Sequence, residues 1–401
     1  METHKLNMRR LTPEDSEQYT DLERYAFQEE FVDWGLENES EIRKAKSLIL
    51  KHSNVLGWFD EGKLVSQIAV YPMQMNIFGS VYDTGFITNV ATYPEYSGKG
   101  LMSSLMKQCL TVMRESGQSI SILYPYSIPL YRHKGWEIIS DKMTFNIKDY
   151  QLPKKLSAPG NIRRVERDSE DLIKLHEQFA KQTHGCIFRN EMAWELYWDE
   201  DADETNIAIY YDEGEKPCGY VVYTIEEDVF KIREMIYLNS EARKGLWAYV
   251  CAHVSMVSDV VGDNYSGTPI AFLLEDSDIK ETIRPYMMGR IVDFEQFLKK
   301  YQFRNPNIDR SITFNVKDSI LEWNNKSFTV KFSHSDDPKI VDEASEYTVD
   351  LSIGTLTTML LGYKRPSYLL DMEYLQNASN ETINILEDII FDKKPYISDY
   401  I

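Results

Sequence analysis

One short segment combines the end of a predicted strand, two glycines and the start of an apolar helix. It reads Tyr93-Pro94-Glu95-Tyr96-Ser97-Gly98-Lys99-Gly100-Leu101-Met102-Ser103. Glycine at positions 98 and 100 lets the backbone come close to a ligand. The N–H groups of such a loop and of the first helical turn suit a pyrophosphate, and Lys99 adds a positive charge. The alternative is an ordinary strand-to-helix connection that binds nothing.

The elements around this loop predict a mixed α/β sheet. Residues 84–92 form the strand that leads into the loop, and residues 101–114 place their apolar side chains on one helical face. A further strand follows at residues 120–123. Together with the pattern upstream, the predicted order is strand, helix, three antiparallel strands, helix, strand.

The rest of the chain divides into two further parts. Residues 151–160 are rich in Pro, Gly and Lys and have no sustained period, which is typical of a linker. The following segment repeats the element order of the first and includes a predicted apolar helix at residues 245–257. The last hundred residues alternate short strands with a helix, which predicts a small α+β domain. We therefore expect domains at 1–150, 151–290 and 291–401.

The charge of the chain excludes some partners. The 401 residues contain 44 Lys and Arg against 64 Asp and Glu, a formal net charge of −20. An acidic surface repels phosphate backbones and anionic lipid headgroups, so we expect neither a nucleic-acid nor a membrane partner. A polycationic small molecule is attracted to such a surface, although solubility alone also accounts for the charge.

The four cysteines are widely spaced and contain no CxxC pair, so they predict neither a zinc site nor a disulfide framework. No pair of histidines has metal-ligand spacing, and we expect no metal. The first residues lead into no apolar leader segment, and no apolar run approaches the length of a membrane span. These features predict a cytoplasmic protein with reduced thiols.

The glycine loop resembles the acetyl-CoA loop of the GCN5-related N-acetyltransferases (GNAT). That family has Arg or Gln, two further residues, Gly, one residue and then Gly or Ala. Gly98, Lys99 and Gly100 match the family, whereas Ser97 replaces the Arg or Gln and Met102 replaces the final small residue. The resemblance implies that acetyl-CoA is the co-substrate and that backbone donors and Lys99 hold its pyrophosphate.

A second patch resembles the same family. Leu130-Tyr131-Arg132-His133-Lys134-Gly135-Trp136 matches the family's tyrosine followed by Gly and an aromatic residue. The resemblance places Tyr131 beside the sulfur of CoA as general acid. A phenol with a pKa near 10 can protonate a departing thiolate with a pKa near 8.5. The alternative is that Tyr131 only packs in the core.

The layout of the whole chain resembles the enhanced intracellular survival (Eis) group of this family. That group has an acetyltransferase domain, a degenerate second copy and a C-terminal domain similar to sterol carrier protein 2 (SCP2). It also forms hexamers, which implies a homo-oligomer here. The motifs that carry the resemblance lie within residues 84–136. The resemblance implies that acetyl-CoA contacts Val90, Ala91, Thr92, Ser97, Gly98, Lys99, Gly100, Leu101, Met102, Ser103, Tyr126 and Ser127.

In the Eis group the general base is the terminal carboxylate of the chain, which here implies Ile401. The tail that leads to it, residues 395–401, carries large apolar residues to its last position, whereas frayed ends are usually small and polar. The alternative is a tail packed on the third domain for stability. The second copy has Arg243-Lys244-Gly245 but lacks the Gly-x-Gly loop, so we expect no cofactor there.

The amine pocket is predicted after the first helix, where Phe27, Glu29, Glu30 and Trp34 combine acids with aromatic rings, a pairing that suits a cation. The alternative is a solvated acidic helix face. We therefore expect an acetyl-CoA-dependent N-acetyltransferase that acts on primary amines of an aminoglycoside-like or polyamine-like molecule. Two rival hypotheses are a non-catalytic protein whose third domain binds an apolar ligand, and an acetyltransferase of protein lysines.

Overall fold

The computed structural model of the protein describes residues 6–28, 46–47, 49–154, 156–199, 205–306, 308–333 and 338–400. Its first part contains these elements: β1 Leu6–Arg10, α1 Ser16–Phe27, β2 Asn54–Asp60, β3 Lys63–Ile77, β4 Ser80–Thr92, α2 Leu101–Glu115, β5 Ile120–Leu123, α3 Ile128–Arg132, β6 Glu137–Ile138 and β7 Asp141–Lys148.

The middle part contains the following elements: β8 Asn161–Val165, α4 Glu170–Gln182, β9 Ile187–Phe188, α5 Glu191–Asp199, β10 Asn206–Tyr211, β11 Pro217–Glu226, β12 Val229–Tyr237, α6 Ser240–Cys251, β13 Asp259–Asn264, β14 Lys280–Pro285 and β15 Met288–Ile291. The last part contains α7 Phe294–Leu298, β16 Arg310–Lys317, β17 Ser327–Phe332, β18 Lys339–Val341, β19 Thr348–Ser352, α8 Ile353–Leu360, α9 Pro366–Asp371 and α10 Asn380–Ile389.

The two larger sheets have the same plan. The first runs in the order β1-β2-β3-β4-β5-β15-β6, with β9 added beside β3, and the second runs β8-β10-β11-β12-β13-β7-β14. In each sheet the fourth and fifth strands pair in parallel, β4 with β5 and β12 with β13. The third sheet has four strands in the order β18-β17-β16-β19. The predicted mixed α/β fold, with a repeated unit followed by a small α+β part, is confirmed.

The two large sheets exchange a strand. β7 pairs with β13 and β14 in the second sheet, although it follows directly after β6 of the first sheet. Conversely, β15 pairs with β5 and β6 in the first sheet, although it follows β14 of the second. The sixth position of each sheet is therefore filled by the other repeat. The expected boundaries at residues 150 and 290 stay predictions.

The first sheet is covered on both faces. Because successive side chains of a strand point to opposite faces, Ile68 and Val70 of β3 pack with α2 in one apolar cluster, whereas Ala69 and Tyr71 belong to the cluster that includes α1. The apolar face of α2 is buried as its periodicity predicts, and this helix holds the glycine loop in place. Its buried residues are Leu101, Leu105, Met106, Cys109, Leu110 and Met113.

The third domain packs against the exchanged edge of the first sheet. Every residue of α8 is buried. The backbone N–H of Ile291 in β15 donates to Thr357 Oγ1 at 2.9 Å, and Thr358 Oγ1 donates to the carbonyl of Ile138 in β6 at 2.7 Å. These contacts attach the third domain to β15 and β6, which follow β5 in the strand order of the first sheet.

Candidate active site

The first sheet opens beside the end of β4. The parallel pairing joins residues Thr84–Ile87 of β4 to Ile120–Leu123 of β5 and ends there. β4 runs on to Thr92, so its last five residues continue beside an opening rather than beside β5. Val90, Ala91 and Thr92, the predicted acetyl-CoA contacts, lie on this last stretch of β4.

A bulge in β4 lies in the same stretch. The pairing of β3 with β4 shifts register between Gln67 and Ala69, opposite Asn89. Asn89 has a φ of +50°, in the left-handed region, and its side-chain amide donates to the hydroxyl of Tyr19 in α1. Bulges bend strands and re-aim backbone groups, and they are common next to functional sites.

The glycine loop leads from β4 into α2 through a single 3-10 turn, Pro94–Tyr96. Gly98 and Gly100 have φ values of +73° and +77°, a region that side chains rarely adopt. A Cβ added at either glycine would meet nothing within 4 Å, so both face open space. Only glycine gives this loop both its conformation and its open approach.

The first turn of α2 presents backbone donors. The first backbone N–H to bond back along the helix is that of Ser104, to the carbonyl of Gly100 at 3.2 Å. The N–H groups of Leu101, Met102 and Ser103 precede it and have no helical partner. Together with the loop, they form a cradle of the kind that binds phosphate groups. The residues present therefore fit the pyrophosphate of CoA.

Two lysines flank this cradle. Lys99 Nζ lies 4.4 Å from the centre of the Tyr96 ring, and Tyr96 donates to Asp60 Oδ2 at 2.6 Å. That hydrogen bond, with burial, raises the pKa of Tyr96 to about 12. Lys134 Nζ donates to Ser103 Oγ at 2.8 Å. The sequence predicts that Lys99 contacts the pyrophosphate. It does not predict a role for Lys134, which appears there only as a member of the Tyr131 motif.

Tyr131 lies in α3, the short helix that follows β5. It is 5% exposed and packs with α2 and Trp136, whose ring centre is 6.2 Å away. Burial raises the pKa of Tyr131 to about 12. Within the part of the chain that the structure describes, its hydroxyl makes no hydrogen bond. The phenol therefore keeps its proton throughout the neutral range.

The two other residues predicted near β5 differ in position. Ser127 directly precedes α3 and accepts the backbone N–H of Tyr131 through its carbonyl at 3.3 Å. The side chain of Tyr126 is 93% exposed and is not packed into the site. Tyr124, which the sequence reasoning missed, comes directly after β5 and contacts the end of the chain.

The described end of the chain lies against the first domain. The ring of Tyr400 meets that of Tyr124 edge-on, with centroids 5.1 Å apart. Ile401, the predicted base, falls outside the described residues. The apolar residues of the tail indicate burial in the sequence, and Ile397 is fully buried in the structure.

A cavity of about 440 Å³ adjoins this contact. Tyr124 and Tyr400 both line it, whereas Tyr131 and the glycine loop do not. It contains three basic and two acidic side chains together with five tyrosines. The lining residues are Tyr124, Lys142, Thr144, Tyr197, Arg233, Glu234, Asp263, Tyr265, Arg284, Pro285, Tyr286, Ser398 and Tyr400.

The predicted amine pocket is described only in part. Phe27 is the last residue of α1 and is 41% exposed. Tyr25, two residues earlier, packs on Tyr93 at the end of β4 with ring centres 5.1 Å apart, so this end of α1 lies beside the glycine loop. Glu29, Glu30 and Trp34 lie outside the described residues.

The second repeat differs from the first at the corresponding place. Only Leu238 and Asn239 separate β12 from α6, and Arg243 and Gly245 lie within the helix. The helix predicted at residues 245–257 is found at Ser240–Cys251. It begins five residues earlier than predicted because the Asn239 side chain caps it by accepting the N–H of Ala242 at 2.8 Å. A Cβ on Gly245 would meet the Tyr210 ring at 2.3 Å, so this glycine serves packing.

Neither a metal site nor a membrane-spanning helix is found among the described residues. They contain no group of three His, Cys, Asp or Glu residues that could hold a metal ion. Of the helices within those ranges, none combines the length and apolar character needed to cross a bilayer. All four cysteines are free.

Three family models match successive parts of the chain. Residues 7–139 match an acetyltransferase (GNAT) domain, residues 185–291 match another acetyltransferase (GNAT) domain, and residues 294–398 match a sterol carrier protein domain. An uncharacterized N-acetyltransferase from Streptomyces avermitilis is 24% identical over 242 residues, which are 54% of this chain and 57% of that relative. The chain thus spans little more than half the length of this curated relative.

Solved structures extend the likeness to the whole chain. A probable N-acyltransferase from Enterococcus faecalis V583 is 27% identical, with a TM-score of 0.90 and full coverage of both chains. Eis1 from Mycobacterium abscessus is 18% identical, with a TM-score of 0.82 over 98% of this chain and 100% of that one, and shares its fold. The chain therefore belongs to the GCN5-related N-acetyltransferases, with two acetyltransferase domains, a sterol carrier protein domain and an Eis-like fold.

Proposed function

We propose that this protein transfers the acetyl group of acetyl-CoA to a primary amine of a small cationic molecule of the aminoglycoside or polyamine type. The observation that carries the proposal is the glycine cradle that follows β4, where the pairing with β5 has ended. The buried Tyr131 in the helix after β5 supports it. Membership of an N-acetyltransferase family supports the same reaction.

The proposed reaction is direct attack. Acetyl-CoA lies along the end of β4, with its pyrophosphate on the N–H groups of the glycine loop and of the first turn of α2. The amine nitrogen forms a bond to the thioester carbon, and the carbon–sulfur bond breaks. Tyr131 gives its proton to the departing sulfur. Its pKa of about 12 lies above the value of about 8.5 for a free thiol, so proton transfer is uphill even to a fully formed thiolate. The hydroxyl therefore first stabilises the departing sulfur by donating a hydrogen bond, and water returns the proton to Tyr131 after the transfer.

The proposed base is the carboxylate of Ile401. Support comes from its neighbour Tyr400, which packs on Tyr124 where β5 ends. A terminal carboxyl group has a pKa of about 3.5, far below that of an ammonium near 10. Its role is therefore to orient the amine and to receive its proton through water as the new bond forms.

The cationic substrate is supported by charge at long range. The net charge of −20 favours the approach of cations, and the tyrosines of the cavity offer ring faces to them. The described part of the cavity holds Lys142, Arg233 and Arg284 against Glu234 and Asp263, so it has no local excess of carboxylates. Oligomerisation stays a proposal based on the family resemblance.

Calorimetric titration with CoA tests the proposal against the rival of a non-catalytic binding protein. We expect binding at micromolar CoA and release of CoA from acetyl-CoA when a small polyamine is added. Failure to bind CoA at millimolar concentration would favour the binding protein. CoA release that occurs with lysine peptides but not with small amines would favour a protein acetyltransferase.

A further inference from the structure

We infer that Arg189 is a positioning residue for the end of the chain, and that through it the second domain holds the chain's last residues at the first domain's active site. The inference rests on the proposed function, because Arg189 would act through the proposed carboxylate of Ile401. It assigns to the second domain, which lacks the glycine loop, a part in the reaction of the first.

Arg189 binds the tail through a buried ion pair. Its Nε donates to Asp399 Oδ1 at 2.6 Å, while Nη1 and Nη2 donate to the two carboxylate oxygens of Glu234 at 3.1 and 2.8 Å. The three side chains are at most 2% exposed. The planar guanidinium thus holds two carboxylates at once, a geometry that a lysine cannot reproduce.

Glu234 attaches the tail a second time. Its Oε1 accepts the hydroxyl of Ser398 at 2.9 Å, and its Oε2 accepts the hydroxyl of Tyr220 at 2.7 Å. Burial opposes the charge of Glu234, but Arg189 outweighs it and holds the pKa of this carboxyl at about 2. Two successive tail residues, Ser398 and Asp399, are therefore fixed to one buried charged cluster.

The charges of this cluster explain why Arg189 controls the tail. Glu234 and Asp399 both carry a negative charge, and Asp399 Oδ2 is buried without a hydrogen-bond partner among the described residues. Without the guanidinium, two carboxylates would face each other out of water, which is strongly unfavourable. Of the two carboxylates, Asp399 belongs to the tail and can move away, whereas Glu234 is held in β12. We therefore expect the loss of Arg189 to release the tail.

Arg189 is also fixed to the first domain. It follows directly after β9, whose residues Ile187 and Phe188 pair with Met75 and Gln74 of β3. Arg189, which anchors the tail, is therefore attached to the first sheet.

The distance from the anchor to the site is short. Only Tyr400 separates Asp399 from Ile401, so their Cα atoms are at most about 7 Å apart. Along that span the Tyr400 ring contacts Tyr124 after β5, and Tyr286 Oη donates to the Asp399 carbonyl at 3.3 Å. An anchor at Asp399 thus fixes the last described part of the chain beside Tyr124.

The test combines Arg189→Lys with an extension of four glycines after Ile401, which moves the terminal carboxylate away. We expect Arg189→Lys alone to lower kcat for amine acetylation at least tenfold and to leave the Kd of CoA within twofold. In the extended chain, where the carboxylate is already displaced, the same substitution should lower kcat no further. Arg365→Lys is the control, because Arg365 also makes three hydrogen bonds but lies in the third domain; it should leave kcat unchanged.

Asp399→Asn keeps the shape of the side chain and removes its charge, so it replaces Arg189→Lys if that variant does not fold. We expect it to lower kcat at least tenfold in the original chain and no further in the extended chain. An equal loss of kcat in the original and the extended chain would show a merely structural role and overturn the inference. If the extension lowers kcat but neither substitution does, the inference alone fails. If the extension leaves kcat unchanged, the proposed base fails and the inference falls with it.

Discussion

The ring of Tyr400 packs edge-on against the ring of Tyr124, with an interplanar angle of 82°. One of these residues is next to the end of the chain, and the other comes directly after β5 of the first domain. A contact between residues so far apart in sequence brings the tail to the opening in the sheet. The proposed mechanism needs this arrangement.

The first prediction concerns the acid. Tyr131→Phe should lower kcat about 100-fold or more, because it removes the proton donor for the sulfur while leaving the packing of the ring intact. The Kd of CoA should stay within about twofold. Since burial raises the pKa of Tyr131 to about 12, loss of its proton should not reduce kcat of the original protein below about pH 11. Calorimetry measures the Kd, and steady-state rates between pH 6 and 11 measure kcat for both proteins. An unchanged kcat in the variant would exclude Tyr131 as the acid.

The second prediction concerns the cradle. Gly100→Ala should raise the KM for acetyl-CoA about tenfold, because the new Cβ points into the space that the pyrophosphate needs and φ is +77°. Gly117→Ala is the matched control: its φ is +78°, it also faces open space, and it lies at the other end of α2. Both variants should lose about 1–2 kcal/mol of stability, but only the first should change the KM. Equal KM values would argue against the loop as the pyrophosphate site.

The third prediction concerns the docking of the tail. Gly185 has a φ of +87°, and a Cβ there would lie 2.4 Å from the Cβ of Pro395. Gly185→Ala should therefore displace the tail, lower kcat and make the last residues accessible to carboxypeptidase. Gly79→Ala has a similar φ of +92° but meets nothing within 4 Å, so it carries the backbone strain without the clash. Retention of kcat in Gly185→Ala would contradict the proposed role of the tail.

The fourth prediction concerns acid stability. The pKa of Glu234 is about 2 in the folded protein, against an ordinary value of 4.5. The unfolded chain takes up this proton first, so the contribution of Glu234 is present above pH 4.5 and is lost as the pH falls towards 2. Denaturant unfolding across this window should show a steeper fall in the free energy of unfolding for the original protein than for Glu234→Gln. Parallel curves would show that Glu234 is not held as the charged partner of Arg189.

The local elements of the site could be predicted from the sequence. The helix predicted at residues 101–114 is found at Leu101–Glu115, and the strand predicted at 120–123 is found at those residues. Both follow from apolar periodicity, which reports the face that a segment buries. The motif around Gly98 and Gly100 likewise depends on neighbouring residues and on backbone conformation.

The long-range features could not be predicted in this way. No strand is predicted at β7, and nothing in its alternating apolar residues shows that the partner is β13, more than a hundred residues later. The apolar tail indicates burial, but its anchor Arg189 lies 210 residues from Asp399. Periodicity shows which face is buried and leaves open which segment buries it.

The most direct test of the proposed function is the release of CoA from acetyl-CoA in the presence of single amines. A panel of polyamines and aminoglycosides is compared with lysine peptides and with a reaction that contains no amine, and mass spectrometry of the products follows. We expect acetylated products from the small cationic amines, a rate well above that without amine, and loss of this rate in Tyr131→Phe. No acetylated small amine at saturating acetyl-CoA, or equal rates with and without amine, would contradict the proposed function.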